Sequence, residues 1–154
     1  MNKKFYLTKK GLKKIQEDYE RLKKAKQNHL RRRDPASEVL NSGELSPDYI
    51  YFQEDLNFLE TRITELEYVL KNAEPIKPTK GVIDVGTVVT VDINGKDHQL
   101  VIVESLEADP GTGMISKESV VGKALLGGRE GDKIMISSPI KTNYKIKKIE
   151  HFTS

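Results

Sequence analysis

Two runs of residues spaced alternately three and four apart constrain this chain of 154 residues more than any other feature. Leu12, Ile15, Tyr19, Leu22, Lys26, His29 and Arg33 form the first run. Tyr49, Phe52, Leu56, Leu59, Ile63, Leu66 and Leu70 form the second. That spacing lays one stripe along one face of a helix. The second stripe is apolar throughout, whereas the first turns polar toward its far end. Pairing Leu12 with Leu70, Ile15 with Leu66, Tyr19 with Ile63 and Leu22 with Leu59 gives number sums of 82 or 81. A constant sum is the signature of two antiparallel segments, and it centres the turn near Asn41. Arms of about 25 residues would be roughly 37 Å long at 1.5 Å per residue.

Charge favours the same pairing. Residues 1–33 carry a balance of +10, residues 34–74 one of −8, and residues 75–154 one of +1. A basic helix beside an acidic one has complementary flanks. The polar end of the first stripe also argues against a long self-dimerising coil, so a monomer is expected.

The ends of the two arms are marked. Thr8 is placed to cap the first helix. Pro35 disfavours a straight helix through the Asp34–Pro35 step. Ser46 is a fitting N-cap for the second arm, with Pro47 at its first helical position. Pro75 and Pro78 mark a linker. From Gly81 onward the period changes to two. Strands are expected near Thr87–Ile93, Gln99–Glu104, Lys133–Ser137 and Tyr144–Ile149, with a hairpin turn at Asn94-Gly95 and a short helix over Glu118–Leu126. The expected fold is α+β. An antiparallel two-helix coiled coil spans residues 1–76 (tip about 40–48), residues 77–80 link, and residues 81–154 form a small β-rich domain with one helix.

Several chemistries are excluded or disfavoured. The chain has no Cys, which removes disulfides, thiol nucleophiles and Cys-ligated metals. His29, His98 and His151 lack ligand-like spacing. Gly127-Gly128-Arg129-Glu130-Gly131 lacks the Lys-Ser/Thr of a phosphate loop and reads as a turn. No run approaches a membrane span, and the basic N-terminus has no apolar segment behind it, so a soluble cytoplasmic protein with no membrane partner is expected.

Particular stretches resemble the Gre-type transcript cleavage factors. The opening Leu7-Thr8-Lys9-Lys10-Gly11 is similar to that of the family. Gly43-Glu44-Leu45-Ser46-Pro47-Asp48-Tyr49-Ile50-Tyr51 stands where the family's tip motif, approximately GDLxENAEY, falls. The C-terminal match is closer: Glu107-Ala108-Asp109, Gly113-Met114-Ile115-Ser116, Ser119-Val120-Val121-Gly122-Lys123-Ala124-Leu125-Leu126-Gly127 and Gly131-Asp132. The resemblance spans nearly the whole chain.

The resemblance implies a coiled coil followed by an FKBP-like domain, and an accessory factor rather than a free-standing enzyme. Such a factor binds bacterial RNA polymerase and inserts the coiled coil into its secondary channel. Tip carboxylates then help hold Mg²⁺ and an attacking water while the polymerase's own centre cuts backtracked RNA. Mg²⁺ takes hard oxygen ligands and often uses only one or two carboxylates from any one protein. Here the catalytic tip carboxylates are Glu44 and Asp48, sharing Mg²⁺ with the polymerase only in the complex; the free protein binds none. Arg31, Arg32, Arg33 and Tyr51 are candidates for contact with the nascent RNA 3′ end or the channel wall. Asp109, Pro110, Ser119 and Gly122 are candidates for polymerase docking.

The tip departs from the family pattern at two positions. Glu44 replaces an Asp, and Pro47 replaces the second acid, with Asp48 one position later. Two outcomes therefore stay open: a factor that stimulates cleavage, or a Gre-like modulator or inhibitor that occupies the channel without cleaving.

Overall fold

A computed structural model describes residues 3–32, 43–44, 46–77, 81–137 and 139–152. The fold is α+β, as expected, and divides into two compact units. One is Leu12–Asn72, and the other joins Met1–Gly11 to Ala73–Ser154. A cut by chain order thus misses the start of the chain, which packs with the sheet unit.

The helical unit holds most of α1 (Lys9–Arg31) and all of α2 (Pro47–Lys71). Three cross-contacts set their antiparallel pairing. The Tyr19 hydroxyl donates to Glu67 at 2.6 Å, Lys26 Nζ lies 3.4 Å from Glu60, and the His29 ring stacks on Phe52 with centroids 4.3 Å apart. The polar far end of the first stripe is therefore built into the hairpin. Lys26 meets an acid on the other arm, and His29 uses its ring face. The hydrogen bond that the Tyr19 hydroxyl donates to Glu67 holds its pKa above the ordinary value, because ionisation would forfeit that bond. The Asp34–Pro35 step, Asn41 and Arg33 lie outside the described residues.

The sheet unit contains a five-stranded sheet in the order β5-β4-β3-β7-β6. Its strands are β3 (Thr87–Ile93), β4 (Lys96–Val103), β5 (Met114–Ser116), β6 (Lys133–Ser137) and β7 (Lys141–His151). All neighbours are antiparallel except β4 and β5, which run parallel. The β3–β4 turn is the Asn94-Gly95 pair, with φ of 54° and 84°. Both residues are left-handed, as a two-residue hairpin turn requires, and the Asp92 carboxylate accepts from the Gly95 N–H at 2.8 Å. Along β7, Thr90 pairs with Lys148 but Val91 with Ile146, so Lys147 is an extra residue in a bulge. It reaches Asp97 on β4 at 3.0 Å.

Alternation along these strands sends one set of side chains inward. Val89, Val91, Ile102, Ile136 and Ile146 join Ile83 and Leu125 in one buried cluster. Each such side chain contributes about 1.5–3 kcal/mol on leaving water. Leu125 comes from α3 (Val120–Leu125), which lies within the expected Glu118–Leu126 and packs against the sheet.

β5 was not expected, and neither were two short strands outside this sheet. β1 (Phe5–Leu7) pairs in parallel with β2 (Ala73–Pro75), matching Leu7 to Pro75. Pro75 thus ends a strand rather than belonging to a linker. A proline is tolerated at that position because the pair is an isolated edge ladder with little need of its missing N–H. Pro78 and residues 79–80 lie outside the described residues.

Gly122 shows how closely α3 is seated. A Cβ there would stand 2.0 Å from the Ser116 carbonyl oxygen. Alanine is ordinarily better than glycine inside a helix by about 1 kcal/mol. Here the sign reverses, because the obstacle is backbone. Gly122→Ala is expected to destabilise the protein by about 2 kcal/mol, read as a lowered midpoint in urea unfolding.

Candidate functional site

The end of the hairpin where α1 finishes and α2 begins carries the sequence-derived tip candidates. Ser46 is buried and its side chain accepts from the Tyr49 N–H at 3.1 Å, while its carbonyl accepts from the Ile50 N–H at 3.1 Å. With Pro47 at the first helical position, the start of α2 is fixed by a side-chain cap and a preset φ. Asp48 therefore sits in the first helical turn, where the helix dipole favours a negative charge. Asp48 and Glu44 are both exposed, and neither has an ion-pair or side-chain hydrogen-bond partner among the described residues.

On the α1 side, Arg31 and Arg32 are exposed in and just after the last turn. Arg33 lies outside the described residues. His29 fixes this end to α2, with its Nε2 3.0 Å from the Phe52 carbonyl oxygen. A carbonyl only accepts, so the imidazole proton sits on Nε2 in that contact. Tyr51 is 64% exposed, whereas Tyr49 and Phe52 are half-buried, in keeping with their places on the seam. The structure thus brings Arg31, Arg32, Asp48 and Tyr51 to one end of the hairpin.

The donor set there consists of carboxylate oxygens, the ligand type Mg²⁺ takes. It is incomplete by itself. Among the described residues no group of three or more His, Cys, Asp or Glu side chains is placed to hold a metal ion. Of the other histidines, His98 pairs across from Val91, and His151 pairs across from Thr87 with its Nδ1 buried and without a hydrogen-bond partner among the described residues.

The docking candidates lie in the sheet unit and play different physical parts. Asp109 and Pro110 are exposed at the start of a 3-10 turn, where the Asp109 carbonyl accepts from Thr112 and Met114 N–H groups at 3.0 and 3.1 Å. Ser119 caps α3, accepting from the Gly122 N–H at 3.0 Å and donating to the Ser116 carbonyl at 2.7 Å. Gly122 is buried. The first two residues offer surface, and the other two shape the turn behind it. Leu106 and Val120, neither singled out from the sequence, are exposed hydrophobics in the same stretch.

A carboxylate network runs beneath this region. Glu104 is almost fully buried and accepts from the Tyr6 backbone N–H and from Lys117 Nζ, both at 3.1 Å. Glu107 accepts from the Thr8 N–H at 2.9 Å and from the Thr8 hydroxyl. Thr8 in turn accepts from the Gly11 N–H at 2.9 Å, capping α1 as its position in the sequence suggests. Glu118 accepts from Ser105 at 2.9 Å and pairs with Lys3 at 3.3 Å.

The Ser105 hydrogen bond, then Lys3, holds the Glu118 carboxyl below its ordinary 4.5. A depressed carboxylate contributes stability that is present above its unfolded value and lost as pH falls through the folded one. Carboxyl-carbon NMR titration should give Glu118 a midpoint under 4.5, returning toward it in Ser105→Ala.

Comparison with known proteins bears on this arrangement. The family model described as transcription elongation factor, N-terminal, matches residues 5–74, and the one described as transcription elongation factor, GreA/GreB, C-term, matches residues 78–151. The chain is 37% identical over 139 residues to transcription elongation factor GreA of Thermomicrobium roseum, covering 86% of this chain and 88% of the relative. It is 38% identical over 144 residues to GreA of Clostridium acetobutylicum, covering 89% and 90%. Among solved structures, GreA factor homolog 1 of Thermus thermophilus aligns at 27% identity and a TM-score of 0.42, covering 96% of this chain and 99% of that one.

A two-helix unit joined to a sheet unit, with both family models matched in order along one chain, defines a transcription elongation factor. The chain belongs to the GreA/GreB family, and its curated relatives make it a factor of the GreA type.

Proposed function

We propose that this chain binds RNA polymerase as a monomer, inserts the tip of its hairpin into the secondary channel, and stimulates cleavage of backtracked RNA by the polymerase active site. The observation that carries the reading is the pair of exposed carboxylates, Glu44 and Asp48, at the end where α1 stops and α2 starts, neither with an ion-pair or side-chain hydrogen-bond partner among the described residues. An exposed carboxylate offers its lone pairs to a ligand.

Mg²⁺, held jointly with the polymerase, would supply an activated water and charge stabilisation for phosphodiester hydrolysis. The chain's own residues do the positioning. Ser46 and Pro47 fix the start of α2, so Asp48 is presented from a rigid turn. Glu44, three residues before that helix, has the longer and freer reach. Arg31 and Arg32 supply guanidinium groups for RNA phosphates, and Tyr51 an exposed ring. In the sheet unit, Asp109 and Pro110 offer the docking surface, with Ser119 and Gly122 holding the neighbouring turn in shape.

The direct experiment adds the protein to stalled, backtracked elongation complexes and follows RNA shortening. Mg²⁺-dependent shortening faster than the polymerase alone supports the proposal.

A second reading has its own observation. Pro47 stands where the family carries its second tip acid and cannot ligate through its side chain. Asp48, one residue on, points about 100° further round the helix. A channel-occupying modulator that binds polymerase without stimulating cleavage would follow. One-to-one binding with no added cleavage across a Mg²⁺ titration would select that reading.

A further inference from the structure

The hairpin has a groove of about 350 Å³ on one flank, bordered by the seam residues His29 and Leu59. Ala25, Asn28 and His29 of α1 line it together with Arg32, one residue past that helix, and Asp55, Phe58 and Leu59 line it from α2. Spacings of three, four and seven put the first four on one face, and spacings of three and four do the same for the other three. Ala25 is the small residue that leaves the groove open. His29 is held as a wall by its stack on Phe52 and its contact with the Phe52 carbonyl. Phe58 is 70% exposed, an unusual state for a phenyl ring. Arg32 and Asp55 carry opposite charges on the same groove, yet they are not paired with each other or with any other described residue.

An exposed aromatic ring, a carboxylate, a side-chain amide and a guanidinium around one concavity form a specific chemical set. We infer that the groove binds a guanine nucleotide. The base stacks on Phe58. Its N1–H and exocyclic amino group donate to the Asp55 carboxylate, and its phosphate accepts from Arg32. Guanine is selected over adenine because it presents two adjacent donors on its Watson–Crick edge, matching the two oxygens of a carboxylate. The volume lies in the range of small-ligand sites. The same chemistry is offered by a free guanine nucleotide and by a guanosine at the end of an RNA strand.

The test uses the free full-length protein, so its outcome does not depend on polymerase binding or cleavage. Guanosine 5′-monophosphate, adenosine 5′-monophosphate and a short RNA ending in 3′ guanosine are titrated separately, with amide NMR shifts as the readout. Shifts at the groove with the free guanine nucleotide, and weaker ones with adenine, identify the free nucleotide. Shifts with the RNA alone identify a strand end. Phe58→Ala should weaken binding about tenfold, the scale of one lost base–aromatic stack. Asp55→Asn should erase the guanine-over-adenine preference while leaving thermal unfolding unchanged, since Asp55 is exposed and has no ion-pair partner among the described residues. Arg32→Gln should weaken the nucleotide but not the nucleoside. The inference is overturned if no ligand shifts the groove at millimolar concentration, or if Asp55→Asn leaves the base preference intact.

Discussion

Glu44→Ala should cut stimulated RNA cleavage by about 10–100-fold, the scale at which metal sites respond when a supporting group is removed. Affinity for the polymerase should stay within a few-fold. The contrast follows from where Glu44 stands. It is exposed and has no partner among the described residues, so truncation is expected to leave the hairpin folded. What it removes is the carboxylate proposed to face the Mg²⁺ of the polymerase. Glu44→Asp keeps the charge and removes one methylene, and should retain most of the stimulation. Asp48→Ala provides the complementary reading. A loss comparable to that of Glu44→Ala would make the two carboxylates joint ligands. A small loss would leave Asp48 as a dipole-compatible residue of the first helical turn.

The second large effect concerns stability. Lys117→Met should destabilise the protein by about 3 kcal/mol, the penalty for stranding one partner of a buried ion pair. Glu104 is 2% exposed, and Lys117 is the only cation within salt-bridge distance of it among the described residues. Methionine keeps the apolar stem of the lysine, so the loss isolates the charge. The Tyr6 N–H continues to donate to Glu104, but a single amide does not replace an ammonium. The double variant Glu104→Gln with Lys117→Met should recover much of the stability, because no unpaired charge is then buried. Urea unfolding of the two single variants and the double variant supplies the coupling energy.

Much of the helical unit was legible from the sequence. A number sum of 81 or 82 aligned the stripes, and the His29–Phe52 stack, at 81, fits it. Seam residues repeat over many turns, so periodicity accumulates until only one register is acceptable. β3 was equally legible. Its alternation runs for seven residues and ends in an Asn-Gly turn that few other conformations accommodate. β1, β2 and β5 were not, because each has three residues, too few to show a period. The pairing of β1 with β2 is also a contact between residues far apart in the chain. Glu104 escaped notice for the same reason. At the end of a strand it reads as a solvated acid, and the two groups that make its burial tolerable come from Tyr6 and Lys117. The tip residues were singled out through family resemblance, whereas the groove around Phe58 needed both helices in place. Phe58 lies off the seam, and sequence spacing alone gave it no partner.

The central claim is that the hairpin tip reaches the RNA end inside the polymerase. A photoreactive amino acid at position 44, in a one-to-one complex with stalled, backtracked polymerase, tests it directly. The account predicts crosslinks to the 3′-terminal stretch of the transcript and to polymerase segments around its catalytic Mg²⁺. Stable binding with crosslinks only to the outer surface of the polymerase, or to a second copy of this chain, would contradict it.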